Sequence, residues 1–407
     1  MPSSPYRKIR PLGEGAVGDV QLCVDVEGRR LVVVKWLRAE LSEESQAGIR
    51  FRREAELMAG VSLPGVIKAD EWGVDELGRT WMAMEFVDGL PPSSVIGPGE
   101  GALCHRFLEG VARSLDELHG IGVVHRDLKP DNVLLRASLK GWEPVIIDLG
   151  IAKWLEQATA TATGSVFGTP YYMSPEQFRD TKHVGPATDR YALAVIAFEL
   201  LSGRLPYDGR SLPELLHQHM ESEIPALSIA LKGRARATVM DSGAAADTRV
   251  PSPHLDVFMR RAMAKQPAAR FGSGREMAAA FQTAATADGL WYEPDTVEPL
   301  FERLVRPVVE MTYAGAVHRF DMREGPIVIG RHEACQLVVT SPRMSRLHAC
   351  VYAHRGRIWI ADLQSQNGTQ YQGRALAAAV PVPIRADGEG APIRLYDQDL
   401  EIRAVES

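Results

Sequence analysis

The stretch Val124-His125-Arg126-Asp127-Leu128-Lys129-Pro130-Asp131-Asn132 decides how this chain is read. A carboxylate at Asp127, an ammonium at Lys129 and a carboxamide at Asn132 stand close together, and chance occurrence of the whole string is negligible. Downstream, Val145-Ile146-Ile147-Asp148-Leu149-Gly150 reads as a strand that ends on a second carboxylate. Asn132 and Asp148 offer the oxygen donors that hard cations such as Mg²⁺ take. Asp127 is placed to accept a proton from an incoming hydroxyl.

Working outward, Leu12-Gly13-Glu14-Gly15-Ala16-Val17-Gly18-Asp19-Val20 spaces its glycines as GxGxxGxV. Glycines let backbone N–H groups come close to anionic oxygens. The same spacing opens a dinucleotide fold when a helix follows. Here a strand follows, which favours a hairpin lid over phosphates. Val32-Val33-Val34-Lys35 then ends a strand on a lone Lys in apolar company, and a buried Lys needs a partner. Phe51-Arg52-Arg53-Glu54-Ala55 supplies one on the next helix, in Glu54.

The pattern divides the chain. Val20–Val24 and Leu31–Leu37 read as strands joined near Glu27-Gly28. A helix is expected over 42–60, capped by Ser42. From about 102 onward helices dominate, at Leu103–His119, Asp189–Ser202 and His254–Lys265. The stretch 229–253, rich in Ala, Gly and Ser, reads as a loop insertion. A linker with a short helix at Val297–Leu304 spans 286–306. Beyond it, short apolar runs at 327–329, 337–339, 349–352 and 358–360 argue for an all-β domain over 307–405.

Residues 6–285 resemble the protein-kinase catalytic domain, in the manner of the bacterial eukaryotic-like serine/threonine kinases, with the motifs in family order. The implied fold class is α+β, a bilobal kinase followed by a β-sandwich. The implied reaction moves the γ-phosphate of ATP to Ser or Thr hydroxyls, with Mg²⁺ (or Mn²⁺) as cofactor. By resemblance, Gly13, Gly15 and Gly18 form the lid over ATP, and Leu12 and Val20 also bind the nucleotide. Lys35 holds its phosphates and pairs with Glu54. Met84, Glu85 and Val87 form the hinge, and Val20, Val33 and Leu134 sandwich the adenine. Asp127 orients and deprotonates the substrate hydroxyl, Lys129 neutralises charge on the moving group, and Asn132 and Asp148 hold the metal. Asp189 braces the catalytic loop and Arg270 pairs with Glu176. Thr161 and Thr163 lie where related kinases carry activating phosphates, for which Arg126 is the partner. Asp148-Leu149-Gly150 and Ser174-Pro175-Glu176 depart mildly from the family's Asp-Phe-Gly and Ala-Pro-Glu. Val33 is larger than the family's Ala.

The C-terminal part resembles the forkhead-associated domain. Ile329-Gly330-Arg331-His332, Met344-Ser345-Arg346-Leu347-His348 and Ser365-Gln366-Asn367-Gly368-Thr369 carry that likeness. Such domains read phosphothreonine through Arg clusters. The resemblance implies phosphate contacts from Arg331 and Ser345, with Arg346 nearby, and a ligand-backbone contact from Asn367. His348 is read as structural. Expected partners are protein substrates and phosphothreonine peptides, or the chain's own phosphorylated activation loop.

Composition narrows the classes. The 407 residues suit two or three domains. With 45% hydrophobic and 24% charged residues and a net charge of −6, nothing favours nucleic acid. The four cysteines form no CxxC pair, so neither a disulfide framework nor a zinc site is signalled, and a cytoplasmic location is expected. The longest apolar run, Ala192–Leu201, is far short of the roughly 20 residues a membrane span needs.

Overall fold

A computed structural model describes residues 6–14, 18–38, 41, 45–76, 78–138, 141–149, 170–179, 184–231, 253–290, 308–355, 357–376, 382–384 and 391–405. Two compact units emerge, and they interleave along the chain. One joins 1–60 and 68–88 to 296–407; the other comprises 61–67 and 89–295.

In the first unit an antiparallel sheet runs in the order β1-β2-β3-β5-β4. Its strands are β1 (Tyr6–Glu14), β2 (Gly18–Asp25), β3 (Arg30–Leu37), β4 (Ala69–Val74) and β5 (Thr80–Glu85). Alternation fixes its faces. Val32, Val34 and Trp36 are buried on one side with Cys23, Trp81 and Ala83. Val33 and Lys35 turn to the other. Helix α1 (Gln46–Gly60) follows β3. In its first turn the Ser45 Oγ accepts the Gly48 amide at 3.0 Å; Ser42, the expected cap, lies outside the described residues.

The same unit holds a β-sandwich. One sheet is ordered β10-β9-β19-β18-β15-β16 and the other β12-β11-β13-β14-β17. The strands are β9 (Val308–Tyr313), β10 (Ala316–Asp321), β11 (Ile327–Gly330), β12 (Leu337–Val338), β13 (Ala349–His354), β14 (Arg357–Asp362), β15 (Thr369–Tyr371), β16 (Arg374–Ala375), β17 (Val382–Ile384), β18 (Ala391–Leu395) and β19 (Gln398–Val405). Between the sheets, Val309, Met311, Ile327, Ile329, Val351 and Ile360 pack with Ile393 and Ile402 into one buried cluster.

The second unit is mostly helical. Its small sheet is ordered β6-β7-β8, from β6 (Gly89–Leu90), β7 (Val133–Ser138) and β8 (Gly141–Ile146). The helices are α2 (Gly101–Gly120), α3 (Pro175–Arg179), α4 (Ala187–Ser202), α5 (Leu212–Met220), α6 (His254–Ala262) and α7 (Gly274–Ala287). Nearly every residue of α4 is buried, which makes it the central post of the unit. It stops at Gly203, whose positive φ of 70° lets the chain turn and cap Glu199. No described helix is long and apolar enough to cross a membrane. All four cysteines are free and buried. Most of 229–253, and the expected helix Val297–Leu304, lie outside the described residues.

Candidate active site and binding loops

In the first unit, antiparallel register sets Lys35 opposite Val20 on one side and Met82 on the other. Val33 is likewise flanked by Leu22 and Met84. Residues directly opposite share a face, so Val20, Val33, Lys35 and Met84 line one surface. Lys35 Nζ lies 3.1 Å from Glu54 Oε1. Glu54 is 1% exposed, so its charge is matched where water is scarce. A side chain at Gly18 would place Cβ 2.8 Å from the Trp36 carbonyl oxygen, so the return of the glycine loop into β2 requires glycine. Gly15 lies outside the described residues, whereas Leu12 and Gly13 are at the exposed end of β1. The hinge leaves β5 at Glu85, whose amide donates to the Lys68 carbonyl at 3.0 Å. Met84 and Val87 are buried.

In the second unit the catalytic loop is held from below. Asp189, completely buried on α4, accepts the amides of His125 at 2.9 Å and Arg126 at 2.8 Å and the His119 ring at 2.7 Å. Burial alone would raise this carboxyl, but those hydrogen bonds and the neighbouring histidines hold it below its ordinary value. Arg126 adopts a left-handed backbone, φ 66°, a conformation a non-glycine residue keeps only when its surroundings insist. Gln177 adds to that insistence by donating to the Arg126 carbonyl at 2.7 Å.

Above this brace, Asn132 Nδ2 donates to the Asp127 carbonyl at 2.7 Å and to its carboxylate at 3.2 Å. With its nitrogen so engaged, Asn132 presents Oδ1 as its acceptor end. Lys129 Nζ stands 3.9 Å from Asp127 Oδ2. The Ile147 amide donates to the Asn132 carbonyl at 2.9 Å, tying the strand that delivers Asp148 to the catalytic loop. A carboxamide oxygen and a carboxylate fit a hard divalent cation. Leu149, in the place of the family's Phe, is wholly buried and so keeps the apolar anchor. Leu134, half-buried on β7, is paired with Val145.

Below the loop, Arg270 clasps Glu176 through two bonds, Nη1–Oε1 at 2.6 Å and Nη2–Oε2 at 2.7 Å. Ser174, the departure from Ala, is fully buried and uses its hydroxyl, 3.2 Å from Gln177 Oε1 and 3.0 Å from Thr188 Oγ1. The loss of an apolar methyl is thus offset by a bonded hydroxyl that positions Gln177. Thr161 and Thr163 lie outside the described residues.

The sandwich brings its three signatures together at one end. Arg331 donates its amide to the Ser345 carbonyl at 3.1 Å, and His332 to that of Arg346 at 3.0 Å. Ser345 Oγ accepts the Gln366 amide at 3.0 Å. Asn367 Nδ2 donates to the Arg343 carbonyl at 2.8 Å. The side chains of Arg331, Arg346 and Asn367 are exposed, and Ser345 is half-buried. His348 is fully buried, 3.0 Å from the Gly368 carbonyl, and burial lowers its pKa, so it is a neutral strut as read. Asp362 is the second strut, accepting from Ser365 and Thr369 hydroxyls, each at 2.6 Å. Arg343, which the motifs did not single out, adds a third exposed guanidinium, resting on the Tyr396 ring 5.5 Å away.

The model of the protein kinase domain matches residues 6–282 and that of the FHA domain residues 327–389. The chain belongs to the protein kinase family and carries a C-terminal forkhead-associated domain. It is 36% identical over 219 residues to the serine/threonine-protein kinase pkn2 of Myxococcus xanthus, covering 53% of this chain and 26% of that one. It is 36% identical over 232 residues to PknA of Mycobacterium tuberculosis, covering 55% and 53%. The chain therefore spans about half or less of these relatives. Among solved structures, a double mutant of the PknI kinase domain of Mycobacterium tuberculosis aligns with a TM-score of 0.51 and 26% identity, over 70% of this chain and 97% of that one.

Proposed function

We propose that the chain is a serine/threonine protein kinase that phosphorylates itself and docks phosphothreonine through its C-terminal domain. The observation that carries this reading is the braced catalytic loop: Asp189 fixes His125 and Arg126, so Asp127 and Asn132 stand preorganised for phosphoryl transfer. Asp127 takes the hydroxyl proton and Lys129 offsets charge on the transferring group. Lys35, held by Glu54, receives the α- and β-phosphates of ATP, while Val20, Val33 and Leu134 wall the adenine and the Glu85 and Val87 backbone meets its edge. Asn132 and Asp148 would hold Mg²⁺, which screens the phosphate charge when bound.

In the reader, Arg331 and Ser345 take the phosphate, with Arg346 beside them, and Asn367 takes the ligand backbone. Phosphothreonine at Thr161 and Thr163, or on a substrate, is the matching ligand. Four unpaired thiols suit a reducing, ATP-rich cytoplasm.

The test is transfer of labelled γ-phosphate to a protein acceptor. Asp127→Asn and Lys35→Met should each reduce it about 10²- to 10⁴-fold with the fold intact. Mass spectrometry should find phosphate on Thr161 and Thr163 in the active chain and not in Asp127→Asn. Near-normal transfer by either variant refutes the assignment.

A further inference from the structure

The outer face of the sandwich's five-stranded sheet is apolar. On β13, Ala349 and Val351 point into the sandwich core, so Cys350 and Tyr352 point outward; on β14, Ile358 and Ile360 point inward and Ala361 outward. A freestanding antiparallel sheet shows polar residues on its solvent side. Here Val328, Cys350, Tyr352 and Ala361 are at most 1% exposed. Something covers them, and it is the kinase sheet of the same unit: Ile9, Leu22, Val24 and Val26 join them in a single buried cluster.

Polar contacts ring this seam. His354 Nδ1 lies 2.8 Å from Asp88 Oδ1, and the Arg355 amide donates to the same carboxylate at 3.2 Å. The His354 ring stands 5.4 Å from that of Phe86. At the other side a Cβ on Gly325 would fall 2.0 Å from the Arg29 carbonyl oxygen, so backbone meets backbone there.

Two facts tie the seam to the nucleotide site. Phe86 and Asp88 flank Val87 in the hinge. Leu22, at the seam, pairs directly with Val33, a wall of the proposed adenine pocket.

We infer that the phosphothreonine reader is docked permanently on the kinase's N-terminal sheet through a shared apolar core, and that its β13–β14 tip, gripping Asp88, couples the reader to nucleotide binding at the hinge. The inference rests on the kinase reading for its nucleotide arm and not for its docking arm.

The docking arm uses the full chain with a protease site inserted within 291–307. After cleavage the two pieces should co-elute on size exclusion at micromolar concentration, and Val328→Asp should separate them. Separation of the unsubstituted pieces overturns the docking, whether or not the protein transfers phosphate. The nucleotide arm measures ATP affinity calorimetrically in the intact chain. Asp88→Ala and His354→Ala should each weaken it about threefold to tenfold, and the double variant no further than Asp88→Ala alone, because that carboxylate takes both the His354 ring and the Arg355 amide. Wild-type ATP affinity in both single variants, or additive losses in the double, overturns the coupling. Both substitutions are on the seam's polar edge, where folding survives.

Discussion

The catalytic loop and the loops of the proposed phosphothreonine reader are held in opposite ways. The catalytic loop hangs on one buried carboxylate: Asp189 satisfies two consecutive amides and a histidine ring at once. The reader loops are laced by many weaker ties, amide to carbonyl between 331 and 345 and between 332 and 346, with Asp362 and His348 as separate struts. The difference follows the task. Catalysis needs a few atoms fixed closely, since small misplacement is costly in rate. Recognition needs exposed guanidinium groups that close on a ligand, so the frame is rigid while the side chains reach into water.

The comparison is broken most severely at its single point of failure. Asp189→Ala leaves two buried amides and a histidine without their acceptor, at about 1–3 kcal/mol for each group. Phosphoryl transfer should fall at least about 100-fold, with thermal unfolding several degrees lower, while phosphothreonine-peptide binding survives in whatever folds. Retention of full transfer would mean the brace is dispensable. Removing one exposed guanidinium of the reader, which leaves the backbone lacing intact, should do less to stability and more to binding. Arg331→Ala should weaken phosphothreonine-peptide affinity about 10- to 100-fold, the span of one charge-assisted contact, and leave intrinsic transfer within about twofold. An unchanged affinity would remove Arg331 from the site.

The smallest effect separates the two frames by pH. Burial lowers the His348 pKa, so below about 6.5 the unfolded chain takes a proton that the folded loop resists, and stability falls as pH drops. The Asp189 carboxyl is also lowered, but from 3.8, so its contribution is intact above that value and is lost only as pH falls through the still lower folded value. Between pH 7 and 5, hydrogen exchange corrected for its intrinsic pH dependence should therefore quicken around 345–369 by at most about tenfold per unit. It should stay level at 125–126. Equal quickening of both would show that the loops open together.

What was legible in the sequence was what is contiguous. The string from His125 to Asn132 carries its own chemistry, and Lys35 with Glu54 follows from the need of a buried ammonium for a partner. Asp189 and Arg270 came from family order, and the geometry gives each the contact that order implies. The seam was not legible. Apolar residues on both sides of β13 and β14 read equally well as ordinary core strands, and Asp88 meets His354 across 266 positions, which no local pattern encodes. Ser174 looked like a mild substitution because its partners, Gln177 and Thr188, come together only in the folded unit.

The buried cysteines have a consequence for chemical reagents. Burial pushes the Cys23 thiol up to about 12 and the Cys335 thiol up to about 11, and raises Cys104 and Cys350 as well. Alkylating and oxidising agents attack thiolate rather than thiol. The native protein offers them neither access nor the ionised form, so thiol-directed electrophiles meet a surface without a reactive cysteine, and any cysteine labelling reports a molecule that has opened.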